Sequence, residues 1–162
     1  MEIRDFQDSD WDDLCRVHDR ARPRELDGSC DPRGFIPLAE DPEAEDLKRC
    51  RIFVAVEGPQ VVGFVAHNVD YLAWLYVDPA LHRSGIGRAL LRRVLPLMGP
   101  TAWTITLAGN LPALRLYESE GFVIVRTFEG DNAGYPCTCH RLEFEGAESD
   151  DAGPGHGGPV EV

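Results

Sequence analysis

Nowhere in the 162 residues does an apolar run approach the 18 or so residues that a membrane-spanning helix needs. The amino terminus, MEIRDF, is acidic and lacks the basic-then-apolar order of a secretory signal, so a cytoplasmic protein with no membrane partner is expected. CxxC pairs are missing too. The five cysteines, Cys15, Cys30, Cys50, Cys137 and Cys139, are odd in number and scattered, which predicts neither a disulfide framework nor a zinc ribbon. CTCH at 137–140 places three metal-binding side chains in four residues, but no distant pair completes a site. On a strand, alternation sends Cys137 and Cys139 to one face and His140 to the other, so no metal is expected. Positive charge is short: 16 Lys and Arg stand against 28 Asp and Glu, a net charge of −12. So acidic a chain is a poor general binder of nucleic acid, and none is expected as a partner.

With 43% apolar residues, the chain has enough material for one domain with a real core and is too short for two comfortable ones. That domain is read as residues 1–145. The remainder, GAESDDAGPGHGGPVEV, holds four acids, no base, and Gly or Pro at seven of seventeen positions, so residues 146–162 are expected to form a disordered tail. MEIRDF reads as a strand anchored by Ile3 and Phe6, and SDWDDLCRVHDRAR as a helix capped by Ser9 and ended or interrupted by Pro23. Residues 27–42 read as an irregular loop with a Phe35-Ile36 plug, followed by a short helix in PEAEDLKRC. RIFVAVEG, QVVGFVAHNVDY and YLAWLYVD are three strands. A helix (RALLRRVLPLM), a strand (TAWTITLAG), a helix (NLPALRLYESEG) and a hairpin-like pair (FVIVRTFEG, CTCHRLEFE) complete the order. That order means an α/β (α+β) fold: a mixed sheet with helices on both faces.

The sparse positive charge is concentrated. Residues 1–50 carry 15 acids and 8 bases, and residues 101–162 carry 10 and 3, whereas the middle third has 5 bases and 3 acids. Four of those bases, Arg83, Arg88, Arg92 and Arg93, surround HRSGIGRALL at 82–91. Arg92 and Arg93 read as the solvated face of the following helix. The turn itself is a strand–GxG–helix junction. A helix's first N–H groups lack intrahelical acceptors and carry the positive end of its dipole. Gly85 and Gly87 remove the Cβ atoms that would hold an anion away, and Arg83 and Arg88 bracket the turn with charge. A phosphate or pyrophosphate cradle follows. Two rival loops fail on spacing. A P-loop needs a Lys after its last glycine, and the Rossmann fingerprint needs a small residue where Leu90 stands.

LAWLYVDPALHRSGIGRALL resembles the acyl-CoA-binding motif of the GCN5-related N-acetyltransferases, a [QR]-x-x-G-x-[GA] loop that grips the coenzyme A pyrophosphate. TLAGNLPALRLYESEGF resembles the second half of that family's signature, and the two together cover residues 72–122. His82 occupies the Gln or Arg position, a departure from the pattern. The resemblance implies a mostly antiparallel central sheet of six to seven strands and an acetyl-CoA-dependent N-acetyltransferase. It implies backbone contacts to the pantetheine arm at Leu75, Tyr76 and Val77, and a pyrophosphate loop of His82, Arg83, Ser84, Gly85, Ile86, Gly87 and Arg88. It makes Asn110 a coenzyme contact and Tyr117 the general acid toward the departing sulfur. A Tyr with a reference pKa of about 10 can protonate a thiolate whose conjugate acid lies near 8.5. No acid lies within the strand 71–77, which leaves His67 or a water chain as the base. A non-catalytic acyl-CoA-binding module on the same fold is the alternative.

In such folds the first two helices and the carboxyl-terminal hairpin frame the acceptor. Here those regions include the acidic stretches DFQDSDWDD and AEDPEAED, which would attract a cationic small-molecule or peptide amine or be plain solvated surface. Trp11, Phe35, Trp74 and Tyr135 are candidate pocket aromatics, and GDNAGYPC at 130–137 either borders the pocket or only connects a hairpin. A homodimer is compatible with this reading.

Overall fold

The computed structural model describes residues 1–146, so the expected tail from residue 147 onward lies outside the described residues. Seven strands form one sheet: β1 (Glu2–Asp5), β2 (Arg51–Glu57), β3 (Gln60–Asn68), β4 (Tyr71–Val77), β5 (Trp103–Leu107), β6 (Phe122–Asn132) and β7 (Tyr135–Phe144). Their spatial order is β1-β2-β3-β4-β5-β7-β6. Every pairing is antiparallel except β4 with β5. The mixed, mostly antiparallel sheet is therefore as expected. A parallel neighbour needs a crossover, and α3 (Ile86–Met98) supplies it.

Helices α1 (Trp11–Leu26) and α2 (Ala44–Arg49) cover one face, where Leu14, Val17 and Leu47 pack on Ile52, Val54 and Phe64. Helices α3 and α4 (Leu111–Ser119) cover the other, where Leu90, Leu91, Val94 and Leu114 pack on Phe53, Val65 and Leu72. No helix among the described residues is long and apolar enough to cross a membrane.

Two helix boundaries differ from expectation. Asp10, not Ser9, precedes α1. Its carboxylate accepts from the Gln7 N–H at 2.8 Å and pairs with Arg4 at 2.8 Å, which fixes the entry of the chain. Pro23 lies inside α1 and does not end it. In the last turn a proline forfeits one main-chain bond, and the full burial of Leu26 against Leu107 and Cys137 is worth about 2 kcal/mol in return.

The cysteine expectation is corrected as well. Cys30, in the loop after α1, is disulfide-bonded to Cys137 on β7, their Cα atoms 5.4 Å apart across 107 residues of sequence. Spacing along the chain could not reveal a partnership made when the 27–42 loop folds back over the sheet. Alternation on β7 does hold: Cys137 and Cys139 are buried, and His140 bonds Thr127 on the outer side at 2.8 Å. GDNAGYPC is mostly strand. Only Ala133 and Gly134, at φ 51° and 89°, make the two-residue turn between β6 and β7.

Candidate active site

β4 and β5 pair only through Tyr71↔Trp103 and Leu72↔Thr104, and then part. The register with β3 skips from Leu72 to Trp74, so Ala73 is an extra residue at the point of divergence. Beyond it the β4 edge toward β5 has no strand partner, leaving main-chain N–H and C=O groups free to pair with something else. A groove of about 850 Å³ opens along that edge, with Leu75, Tyr76 and Val77 on its wall. At its far end Gly85 adopts φ +85° as the residue before α3, a conformation costly for any residue with a Cβ, and no side chain caps the helix. The first N–H groups of α3 therefore stay free for an anion.

Four arginines line this groove: Arg83, Arg88, Arg24 from α1 and Arg115 from α4. Arg88 is partly committed, since it pairs with Glu120 and bonds Ser119 at 2.9 Å, while Arg92 holds the same Glu120 at 3.0 Å. Arg83 has no ion-pair partner among the described residues. The donor set, uncapped helix start and unpaired strand edge fit a long ligand with phosphates at one end and amides along its length.

A second cavity, of about 430 Å³, lies on the other side of the divergence. The two share Glu25, Ala73, Trp74, Tyr76, Ile105 and Thr106 as walls, so they meet where the strands part. Glu25, in the last turn of α1, pairs with Arg22 at 2.8 Å. The Tyr76 hydroxyl lies against both, its pKa pushed up by desolvation and then by the Glu25 charge. Asp41, Glu43 and Asp131 face the second cavity but not the first, and Tyr71 and His18 join Trp74 and Tyr76 as its aromatic walls.

The profile of the acetyltransferase (GNAT) domain matches residues 48–124. Peptidyl-lysine N-acetyltransferase YjaB of Escherichia coli K12 is 31% identical over 119 residues, spanning 70% of this chain and 80% of that protein. The chain belongs to the GNAT family of N-acetyltransferases. The uncharacterized N-acetyltransferase YafP of the same organism is 29% identical over 129 residues, spanning 78% of this acetyltransferase and 83% of YafP. The same fold is seen in the PaiA N-acetyltransferase of Thermoplasma acidophilum, solved in complex with coenzyme A. It has a TM-score of 0.68 and 16% identity, covering 89% of this chain and 98% of that one.

In this acetyltransferase the expected loop residues reach the groove wall except Ser84, whose hydroxyl donates to the Leu81 carbonyl instead. His82, in place of Gln or Arg, folds its Nε2 back to the Val77 carbonyl at 3.2 Å while still lining the groove. Asn110 caps α4, its Oδ1 accepting from the Ala113 N–H at 3.3 Å, which leaves its amide NH₂ facing the groove side. Tyr117 is buried on the groove wall and packs edge-on against Phe122 at 5.5 Å. The Thr104 hydroxyl donates to the Leu72 carbonyl at 2.8 Å and lies beside the Tyr117 phenol. The phenol thus stands beside the last β4–β5 pair. Burial and the Glu25 charge push its pKa up, keeping it protonated.

His67 is the residue the fold does not bring in. It lies on β3 opposite Leu72, 7% exposed, with Nδ1 3.3 Å from the Val69 carbonyl, and it lines neither cavity. The missed residue is Glu25. In sequence it is only half of an i,i+3 pair with Arg22, which reads as helix surface. Of the acidic stretches, AEDPEAED supplies Asp41 and Glu43, whereas in DFQDSDWDD Asp10 and Asp13 pair with Arg4 and Arg16. Of the four candidate aromatics only Trp74 is on the wall. Trp11 lies under Lys48, Tyr135 under Arg33, and Phe35 packs in the Leu26 cluster.

Proposed function

We propose that this acetyltransferase takes its acetyl group from acetyl-CoA and passes it directly to a primary amine of a small molecule or peptide. One observation carries the reading: Glu25 stands on the wall common to an arginine-lined groove and an acid-lined cavity, where β4 and β5 part. Acetyl-CoA supplies an acyl group already activated on a thiol leaving group. Arg83, Arg24, Arg115 and the α3 N–H groups would hold its phosphates, with Arg88 shared between them and Glu120. The free edge of β4 at Leu75–Val77 would receive the amide-bearing arm as a further strand does.

At the junction the work divides among this chain's own groups. Glu25 accepts a proton from the incoming ammonium, since only the neutral amine has the lone pair to attack. Unpaired β4 N–H groups donate to the acyl oxygen as it gains charge. A C–N bond forms and the C–S bond breaks. The nitrogen loses its second proton to solvent as it becomes an amide, and Tyr117 gives its proton to the sulfur and is reprotonated from solvent, so one proton leaves overall. Glu25 takes the role first considered for His67, which lies away from both cavities.

The test is thiol release from acetyl-CoA with an amine panel, alongside calorimetric titration with coenzyme A, ATP and NAD. Amine-dependent thiol release is expected, falling by about 10²-fold in kcat for Tyr117→Phe with coenzyme affinity retained. Coenzyme binding with no amine acetylated would make the chain a non-catalytic acyl-CoA module. Preference for ATP or NAD would remove the coenzyme reading altogether.

A further inference from the structure

Several acids are held in ion pairs. Asp10 is held by Arg4, Asp78 by Arg16 and Arg20, and Glu120 by Arg88 and Arg92. The second cavity gathers three that are not. Asp41, Glu43 and Asp131 have no cation within 4.0 Å among the described residues, although all three line one cavity. Asp41 and Asp131 each spend an oxygen on a neighbouring main-chain N–H, of Glu43 at 2.9 Å and of Gly134 at 3.1 Å. The arginine on that wall, Arg22, is already taken by Glu25 at 2.8 Å and Asn132 at 2.9 Å. Desolvation, and then the Asp41 charge beside it, push the Glu43 carboxyl above its ordinary pKa, a crowding that a bound cation relieves.

His18 supplies a second, independent sign of a polar ligand. It is 2% exposed, its Nδ1 is bound to Asp19 at 2.9 Å, and its other ring nitrogen has no partner among the described residues although the ring lines the cavity. Tyr71, Trp74 and Tyr76 complete the wall with aromatic faces suited to an aliphatic stem or to a cation. At about 430 Å³ the space matches a small ligand.

Resting on the acetyl-transfer reading above, we propose that the acceptor is a small aliphatic diamine. One amino group reaches Glu25 at the junction, and the other, still charged, sits among Asp41, Glu43 and Asp131. A lysine side chain of a peptide brings one charge, which goes to the junction, and leaves the three outer carboxylates unmatched.

The experiment compares steady-state acetylation of 1,4-diaminobutane, n-butylamine and a lysyl peptide with a blocked amino terminus. The diamine is expected to exceed both by about tenfold in kcat/KM, through KM, with the advantage shrinking as salt rises. The Asp41→Asn/Glu43→Gln double variant is expected to raise the diamine KM about tenfold and to leave the n-butylamine and coenzyme KM unchanged. Asp131→Asn, on a different element, carries the same expectation if the double variant does not fold. Equal or better use of n-butylamine or the peptide overturns the diamine assignment while leaving acetyl transfer standing, and so does a diamine KM that none of these variants moves. Coenzyme binding with none of the three amines acetylated overturns both readings.

Discussion

The arginine-lined groove takes most of its wall from two continuous stretches, residues 72–88 and 109–119, whereas the acid-lined cavity collects its wall from α1, the 34–43 loop, β4, β5 and both strands of the last hairpin. Their charges are opposite. Four arginines against Glu25 line the groove, and Glu25, Asp41, Glu43 and Asp131 against Arg22 line the cavity. The arginine-lined surface lies mostly in contiguous residues, which a short motif can encode. The acid-lined one is assembled by tertiary contacts. Glu25 belongs to both, at the place where the two chemistries meet.

The sharpest way to break this comparison is to remove the shared acid. Glu25→Gln is expected to lower kcat by about 10²- to 10³-fold while coenzyme A still binds with unchanged affinity in calorimetry. Full activity in that variant would return the proton transfer to a water chain. Next is the strap that belongs to the acceptor side alone. Cys30→Ser opens a link across 107 residues and is expected to cost about 2–4 kcal/mol, read as a lower thermal midpoint. It should raise the amine KM and spare coenzyme affinity. Thiol titration of the denatured, unreduced wild type should count three thiols, from Cys15, Cys50 and Cys139; a count of five means the bond is not formed.

Arg83→Glu probes the other side. A groove that depends on this arginine should lose about tenfold or more in coenzyme affinity, roughly 1.4 kcal/mol, with the amine KM unmoved. An equal loss on both sides would mean that the cavities are not electrostatically separate. The smallest effect concerns pH. The Glu43 pKa is raised in the fold, so the protonated form is favoured there; that stabilisation is complete below the unfolded pKa and lost as pH rises through the folded one. Glu43→Gln should therefore melt slightly above the wild type at pH 7, and the gap should close on acidification. A gap of constant size across that range would show that Glu43 does not titrate differently in the fold.

Much of the fold was legible because its signals are local. The apolar runs at 51–57, 61–67 and 71–77 are strands that bury side chains in the core, and the 3.6-residue spacing of Leu90, Leu91, Val94 and Met98 is the inner face of α3. Ser9 and Pro23 misled for a shared reason: both were read from propensity, which Asp10's ion pair and Leu26's burial overrode. His67 misled because its place near the end of β3 said nothing about which side of the sheet the cavities occupy. Arg24, Arg115 and Glu25 carried no signal at all, each being an ordinary charge on an amphipathic helix until the helix is docked.

By itself the sequence determined what contiguous residues can determine: a strand meeting a helix through Gly85, with free N–H groups at the helix start and Arg83 beside them. Chain order along one segment sets that geometry, because the donors belong to the same few residues. Only the tertiary structure decided that β4 and β5 part after Leu72 and Thr104, that Glu25 stands in the gap, and that Asp41, Glu43 and Asp131 converge without cations. Those groups come from segments more than a hundred residues apart at the extremes. Their convergence is a property of packing, in which burying Leu26 and Leu107 in one cluster docks the end of α1 against the sheet and carries Glu25 with it.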